Sequence, residues 1–299
     1  MDQELSEYSR NPVVVTGLGS EIHPEVRQWI TAGTAADQRT DAPLSHDADP
    51  LPFLRIKKTA KFMSKQDRLA MAAAARAVQT AGLAADVLET QTMIAMAIGP
   101  IPFEETEAML VAGYSSHGNA FSMEHFCRDA YDKVNPMLLF ACLPNMPAYH
   151  ISANLNIRGG YYLTYPSCAE SYMALRNAVS ALTEGRTMAV LYGAVADQQN
   201  FLVRNHHLKT GQMLPAPDGA CFLVLETLNR AKARNASVLA RLQGIRILPD
   251  PGITTAPDTC HFGPVALPLG VARFIEASGV SCTHRLQSDG HLFESTWTK

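Results

Sequence analysis

The sequence lacks the signatures of a secreted, metal-stapled or membrane-embedded protein. Its six cysteines form no CxxC pair and the first 126 residues contain none, which argues against a zinc ribbon and against a disulfide framework. It also has no apolar run of about 18 residues, the length that a membrane-spanning helix needs. The first ten residues are polar and contain no apolar stretch typical of a signal sequence. We therefore expect a cytoplasmic protein with no membrane partner.

Charge is also scarce. Only 18% of the 299 residues are charged, against roughly 25% in a typical soluble domain. Lys and Arg number 25 and Asp and Glu 28, which gives a net charge of −3 and no basic excess for binding nucleic acid. With 47% hydrophobic residues the chain can build a sizeable core.

Motifs for bound cofactors are missing as well. The sequence contains no P-loop and no GxSxG elbow. Gly17 and Gly19 lack the third glycine of a dinucleotide-binding loop, so we interpret them as turn residues. His150 and the pair His206 and His207 lack the spacing of metal ligands, which favours structural roles. We expect no cofactor and no metal site.

What is present predicts a layered α/β protein. Apolar strands alternate with helical patterns, a sequence order typical of helices packed on a sheet. The predicted strands are residues 12–16, 92–98, 161–165, 187–196, 221–226 and 238–248, and the principal predicted helices are residues 65–81, 103–111, 169–183 and 264–278. Ser64 and Asp67 predict a capping box, and Gly82 a helix end. After the last helix we expect a polar tail.

A set of short motifs then follows one order along the chain. The motifs are VVVTGLG at 13–19, KFMS at 61–64, LPNM at 143–146, HIS at 150–152, RGG at 158–160, SCA at 167–169 and DGACFLVLE at 218–226. In this order they resemble the N-terminal half of a β-ketoacyl synthase of the thiolase-like superfamily. The resemblance implies a thiolase-like layered α/β fold with helices on and between mixed sheets. It divides the chain into a polar tail (1–11), a ketosynthase-like half (12–248) and a reduced remnant (249–299) packed on the same domain.

The resemblance implies that Cys168 is the nucleophile position, because it lies where a strand meets a helix. A helix N-terminus favours a thiolate, whereas Glu170 would oppose it by like-charge repulsion. The family's HGTGT-type and GHT-type histidine loops and its Gly-Phe-Gly turn are missing, and His261 is a poor match to the second loop. Condensation needs hydrogen-bond donors for the developing oxyanion. Cys168 is therefore a candidate nucleophile, a vestige of one, or a buried inert thiol.

Two further segments concern partners. Six cations lie within fourteen residues, either as a solvated face or as a patch that attracts an acidic partner: Arg55, Lys57, Lys58, Lys61, Lys65 and Arg68. The resemblance implies that Lys58 and Lys61 dock acyl carrier protein. It also implies an acyl tunnel at a dimer interface, for which the candidates are Met137, Leu138, Phe140 and Leu143, and a strand that pairs across the two-fold axis, with Tyr161, Tyr162 and Leu163.

These observations lead to three hypotheses. The first is a non-catalytic, chain-length-factor-like subunit that forms a heterodimer with a complete ketosynthase in type II polyketide (aryl polyene-like) or fatty-acid-like biosynthesis. It would stabilise that subunit and shape its acyl tunnel, and we expect a chain reduced to little more than one half to leave apolar surface uncovered. The second is an enzyme that transfers or condenses acyl groups through Cys168. The third is a free-standing homodimeric binding module.

Overall fold

The computed structural model describes residues 11–32, 44–100, 105–118, 120–141, 143–210, 217–249, 260–288 and 290–299. The helices are α1 (Pro24–Ala32), α2 (Lys65–Ala81), α3 (Ala85–Thr90), α4 (Glu105–Ser115), α5 (Met123–His125), α6 (Leu138–Ala141), α7 (Met146–Leu155), α8 (Glu170–Thr183), α9 (Phe201–Thr210), α10 (Leu228–Ala233) and α11 (Ala266–Glu276). The strands are β1 (Val13–Ile22), β2 (Thr92–Ile98), β3 (Ser116–His117), β4 (Ala120–Phe121), β5 (Tyr161–Thr164), β6 (Ala189–Ala196), β7 (Gly219–Thr227), β8 (Ala240–Pro249), β9 (Ser281–Ser288) and β10 (His291–Thr298).

Eight of the described strands form one mixed sheet in the order β5-β2-β6-β7-β1-β8-β10-β9. Strand β2 runs parallel to β5 and β6, and the other pairs are antiparallel. Strands β2 and β6 are buried along their whole length, as expected for strands covered on both faces. The predicted thiolase-like layered α/β fold is confirmed.

Each face of the sheet carries its own core. On β7, Phe222 and Val224 face the core formed with α2 and α7, whereas Leu223 and Leu225 face the core formed with α8 and α11. This alternation follows from the two-residue period of a strand. The helix that follows Cys168, α8, therefore lies in an apolar layer against the sheet.

Helix α2 begins and ends where the sequence predicts. The Ser64 side chain accepts a hydrogen bond from the Asp67 backbone and the Asp67 side chain accepts one from the Ser64 backbone, and Gly82 ends the helix with φ 58°. The capping box and the left-handed glycine are both confirmed.

The prediction for Gly17 and Gly19 is wrong, because β1 continues through both residues to Ile22. A Cβ on Gly17 would lie 2.2 Å from the Ala77 carbonyl oxygen, and one on Gly19 would lie 2.1 Å from that of Ala73. The two glycines are therefore required for close packing of strand on helix, which the Ala-rich face of α2 completes.

The predicted polar C-terminal tail is also wrong, because residues 281–298 form the hairpin β9–β10. Phe293, Ser295 and Trp297 are buried at alternate positions, a two-residue period that predicts a half-buried strand. Strand β10 pairs with β8 along its length, so residues 249–299 supply two strands of the main sheet.

The outer face of the hairpin β9–β10 carries polar cross-strand pairs. Across β9 and β10 the Thr283 and Thr296 hydroxyls lie 3.2 Å apart, and Arg285 Nε donates to Glu294 Oε1 at 2.7 Å. Cross-strand polar pairs of this kind stabilise a sheet face in contact with water.

Candidate functional site

Cys168 lies in the turn between β5 and α8, two residues before the helix begins at Glu170. The turn is held by side-chain bonds to the backbone: Thr164 Oγ1 donates to the Glu170 carbonyl at 2.9 Å, and Ser171 Oγ donates to the Cys168 carbonyl at 2.9 Å. Cys168 itself is half-buried and packs against the core of the α8 layer. Its predicted position at a helix N-terminus is confirmed, and a thiolate there would face the positive end of the helix dipole.

A buried tyrosine fixes α8 one turn beyond Cys168. The Tyr172 hydroxyl lies 2.7 Å from His284 Nδ1 and 2.9 Å from the His284 carbonyl oxygen. Burial lowers the pKa of His284 to about 4, so the ring is neutral at pH 7. The sequence analysis did not predict this pair. In the structure, His284 and Leu286 are the buried, alternating residues of β9.

The segment that leads into α11 lies at the same end of the sheet as the turn of Cys168. Phe262 packs with Ala97 and Ala196, near the ends of β2 and β6, and Ala97 pairs with Thr164, the last residue of β5. The backbone of residue 261 therefore lies near the turn of Cys168, although its match to the family motif is poor. The side chain of His261 is outside the described part of the chain.

A buried charge cluster lies at the end of β6. Lys65 Nζ is 2.6 Å from Asp197 Oδ1 and 2.8 Å from Asp218 Oδ2. Asp218 is fully buried and also accepts the backbone N–H groups of His46 and Gln199, at 3.0 and 2.8 Å. Burial, together with the charge of Asp218, raises the pKa of Asp197 to about 6.

This cluster changes the interpretation of the six-cation segment. Lys65 is directed into the carboxylate pair, and Arg68 forms an ion pair with Asp47 at 2.6 Å. Both side chains hold the fold together and are not part of a free patch. Lys58 and Lys61 are exposed on a short 3₁₀ helix, Lys57–Phe62, so their predicted docking role stays a prediction.

The candidate tunnel residues lie around α6 and α7 with different exposures. Leu138 is buried, Phe140 is half-buried with its ring 6.2 Å from that of Tyr149, and Met137 and Leu143 are exposed. The structure brings them to the side of the molecule that carries β5.

Strand β5 is an edge strand of the sheet, with β2 as its one neighbour among the described strands. Tyr161 is 72% exposed. Tyr162 packs toward the α8 layer and Leu163 toward the α2 and α7 layer. The three residues are thus placed where a further strand could add, and their interface role stays a prediction.

His150, one of the three histidines predicted to be structural, is buried in α7. Its Nε2 lies 3.9 Å from Asp67 Oδ2 in α2, and burial lowers its pKa to about 4 while raising that of Asp67 to about 6. Within the described ranges, no group of three or more His, Cys, Asp or Glu side chains is arranged to hold a metal ion. No helix in that part of the chain is long and apolar enough to cross a membrane.

The family model for the β-ketoacyl synthase N-terminal domain matches residues 24–221. The chain belongs to the β-ketoacyl synthase family. The matched range contains the turn of Cys168, the cluster at Asp197 and the whole β5 edge, so these features lie on the family's own scaffold. No curated protein matches the chain in sequence.

Solved structures share the fold of this ketosynthase-family chain. A chain of the AntDE:AntF complex, a type II polyketide synthase (PKS) acyl-carrier protein with its ketosynthase bound to the hexaketide, is 16% identical with a TM-score of 0.75, covering 97% of this chain and 99% of its own. A β-ketoacyl synthase from Burkholderia phymatum STM815 is 16% identical with a TM-score of 0.61, at the same coverages. The ishigamide ketosynthase/chain length factor is 20% identical with a TM-score of 0.63, covering 83% of this chain and 66% of its own.

Proposed function

We propose that the chain is a non-catalytic, chain-length-factor-like subunit that forms a heterodimer with a complete β-ketoacyl synthase. In type II polyketide biosynthesis of the aryl polyene kind, or in a fatty-acid-like pathway, it would stabilise that partner and shape its acyl tunnel. Its setting would be the cytoplasm, with acyl carrier protein as a second partner.

One observation carries the proposal: exposed apolar side chains are concentrated in the segment of the chain that leads into β5 and includes it. Of the seventeen large apolar side chains exposed among the described residues, ten lie within residues 105–165. They are Met109, Tyr114, Phe121, Met123, Tyr131, Met137, Leu143, Tyr149, Tyr161 and Tyr165. Large apolar side chains left exposed in this number on one segment are typical of a surface that another protein covers.

The open edge of β5 supports a strand-to-strand contact. The Ile94 N–H donates to the Gly160 carbonyl at 3.0 Å, so the Gly160 carbonyl points toward β2. The N–H of Tyr161, on the opposite side of the same peptide unit, points away from β2. An edge strand with free N–H groups and apolar side chains is a template for another strand.

Co-expression with candidate complete ketosynthases from neighbouring genes tests the assembly. Wild-type chain should co-purify with one of them in a 1:1 ratio. Tyr161→Pro removes an N–H that points away from β2, so the fold should tolerate it, while pairing with the partner should be lost. Tyr161→Phe, which keeps both the N–H and the aromatic ring, is the control. Recovery of the chain alone, with each ketosynthase as its own homodimer, would refute the proposal.

The non-catalytic part of the proposal rests on the missing family histidine loops. Loss of one oxyanion donor typically lowers the rate by about 10²–10³. The chain alone should therefore neither decarboxylate a malonyl carrier thioester nor condense two thioesters. Turnover by the chain alone would contradict this.

A second candidate function is acyl transfer through Cys168, favoured by its half-buried position at the N-terminus of a 14-residue helix. The thiolate would attack the thioester carbonyl and release the carrier thiol. Incubation with an acyl carrier thioester followed by intact-mass measurement distinguishes the two: a stoichiometric acyl mass shift that Cys168→Ala abolishes supports transfer, and an unchanged mass supports the subunit.

A further inference from the structure

A cavity of about 190 Å³ lies between α7 and the β5 edge. Its floor is apolar and buried, formed by Ile94, Ala148 and Ile157. Its mouth is bounded by Asn145, Tyr149 and Tyr161, all of which are exposed. A site for one water needs about 10–15 Å³, so a cavity of this size has room for one large side chain.

The position of the cavity relative to β5 decides what can reach it. Tyr161 and Leu163 both line it, because residues two apart on a strand face the same side. A strand added beyond β5 would lie about 4.8 Å away. The side chains that it directs to the same face would stand about 5 Å from Tyr161 and Leu163, beside the mouth of the cavity.

We infer that this cavity is an anchor pocket that receives one large apolar side chain from the edge strand of the ketosynthase partner. The inference rests on the proposed function and adds the chemistry of the contact. The apolar floor excludes a charged side chain, which would lose its hydration without gaining a partner. The aromatic side chains at the mouth, Tyr149 and Tyr161, would pack around the inserted group and exclude water. This arrangement is typical of interface hot spots.

The pocket also predicts where affinity is concentrated. Interface energy is carried by a few anchors in desolvated pockets, while most surrounding contacts contribute little. A substitution that fills this pocket with a larger side chain of the same chain should therefore weaken the complex strongly. Truncation of an exposed apolar side chain elsewhere in residues 105–165 should weaken it less; Met109, which is 67% exposed, is an example.

Two substitutions in the full chain test the inference by binding to the co-purified ketosynthase, measured by calorimetry. Ala148→Leu fills the floor and Asn145→Trp covers the mouth. Each should raise Kd roughly tenfold or more, whereas Ala148→Ser and Asn145→Ala, which leave the pocket open, should bind within about twofold of wild type. Asn145 is exposed and its side chain makes no capping bond, so Asn145→Trp remains informative if Ala148→Leu fails to fold.

The possible outcomes separate this inference from the proposed function. If Tyr161→Pro abolishes binding while both pocket variants bind normally, the pocket is not an anchor and the subunit proposal stands. If no ketosynthase binds wild-type chain, both proposals fail. If a homodimer of this chain is the species weakened by Asn145→Trp, the occupant is a second copy. If only binding of acylated carrier protein changes, the occupant is an acyl chain. Either of the last two results overturns the inference.

Discussion

Removal of the Arg234 guanidinium is the sharpest test of how the fold is held together. Glu226 is fully buried at the end of β7 and accepts hydrogen bonds from Arg234 Nε at 3.1 Å and from Thr16 Oγ1 at 2.7 Å. Arg234 Nη1 also donates to the Ala81 carbonyl at 2.8 Å, at the end of α2. The Arg234 guanidinium thus supplies the direct hydrogen bonds to a buried carboxylate and satisfies a helix terminus, while Arg230 Nε lies 3.8 Å from Glu226 Oε1.

Arg234→Met should lower the free energy of unfolding by about 1.5–3 kcal/mol, the usual worth of hydrogen bonds to a charged group. The loss stays below that of a fully unpaired buried charge because Arg230 Nε remains 3.8 Å from Glu226 Oε1. The long apolar part of the side chain is kept, so the loss reports the charge and the hydrogen bonds. Arg234→Lys should lie between wild type and Arg234→Met, because an ammonium cannot reproduce the planar donor set.

The double variant with Glu226→Leu provides the decisive control, measured by urea denaturation at pH 7. Since a buried carboxylate that has lost its direct donors is the main source of the loss, removal of the Glu226 charge as well should recover stability relative to Arg234→Met. A loss below about 1 kcal/mol in the single variant, or a double variant less stable than the single one, would refute the reasoning.

Three further predictions concern other contacts. Gly19→Ala should destabilise the chain by roughly 1–3 kcal/mol through overpacking against α2, whereas Gly244→Ala, with open space around the new Cβ, should cost less than 1 kcal/mol in thermal or urea unfolding; equal losses would contradict the packing argument. Tyr172→Phe should cost about 1–3 kcal/mol because buried polar atoms of His284 lose their partner, and an unchanged urea midpoint would contradict this. The pKa of His150 is lowered from 6.5 to about 4, so its contribution to stability is complete above pH 6.5 and is lost as pH falls toward 4. His150→Gln should therefore lose less stability than wild type between pH 6.5 and 4, and parallel pH profiles would contradict that.

Local patterns in the sequence predict the elements that depend on neighbours along the chain. The capping box at Ser64 and the strand Thr92–Ile98 lie where the sequence places them, because capping and apolar runs are local signals. The position of Cys168 between strand and helix follows from the same kind of pattern. The fold class follows from the order of these elements.

Features that depend on contacts with residues far away along the chain could not be predicted from local sequence patterns. Gly17 and Gly19 have the composition of a turn, and only the approach of α2 shows why they lie inside a strand. The burial of Lys65 between two aspartates 132 and 153 residues away along the chain is equally invisible in a local count of cations. The hairpin β9–β10 has an alternating pattern of buried residues, but its many polar residues make the segment resemble a tail. The pairing of β10 with β8 shows that it is part of the sheet.

The central claim is that this chain works as one subunit of a pair, joined to a complete ketosynthase through the β5 edge. Native mass spectrometry of the chain co-expressed with candidate complete ketosynthases tests that claim most directly. The account predicts one species whose mass equals one copy of each chain, and its loss in Tyr161→Pro with Tyr161→Phe unaffected. Two separate homodimers, or a mixed species that survives Tyr161→Pro unchanged, would contradict it.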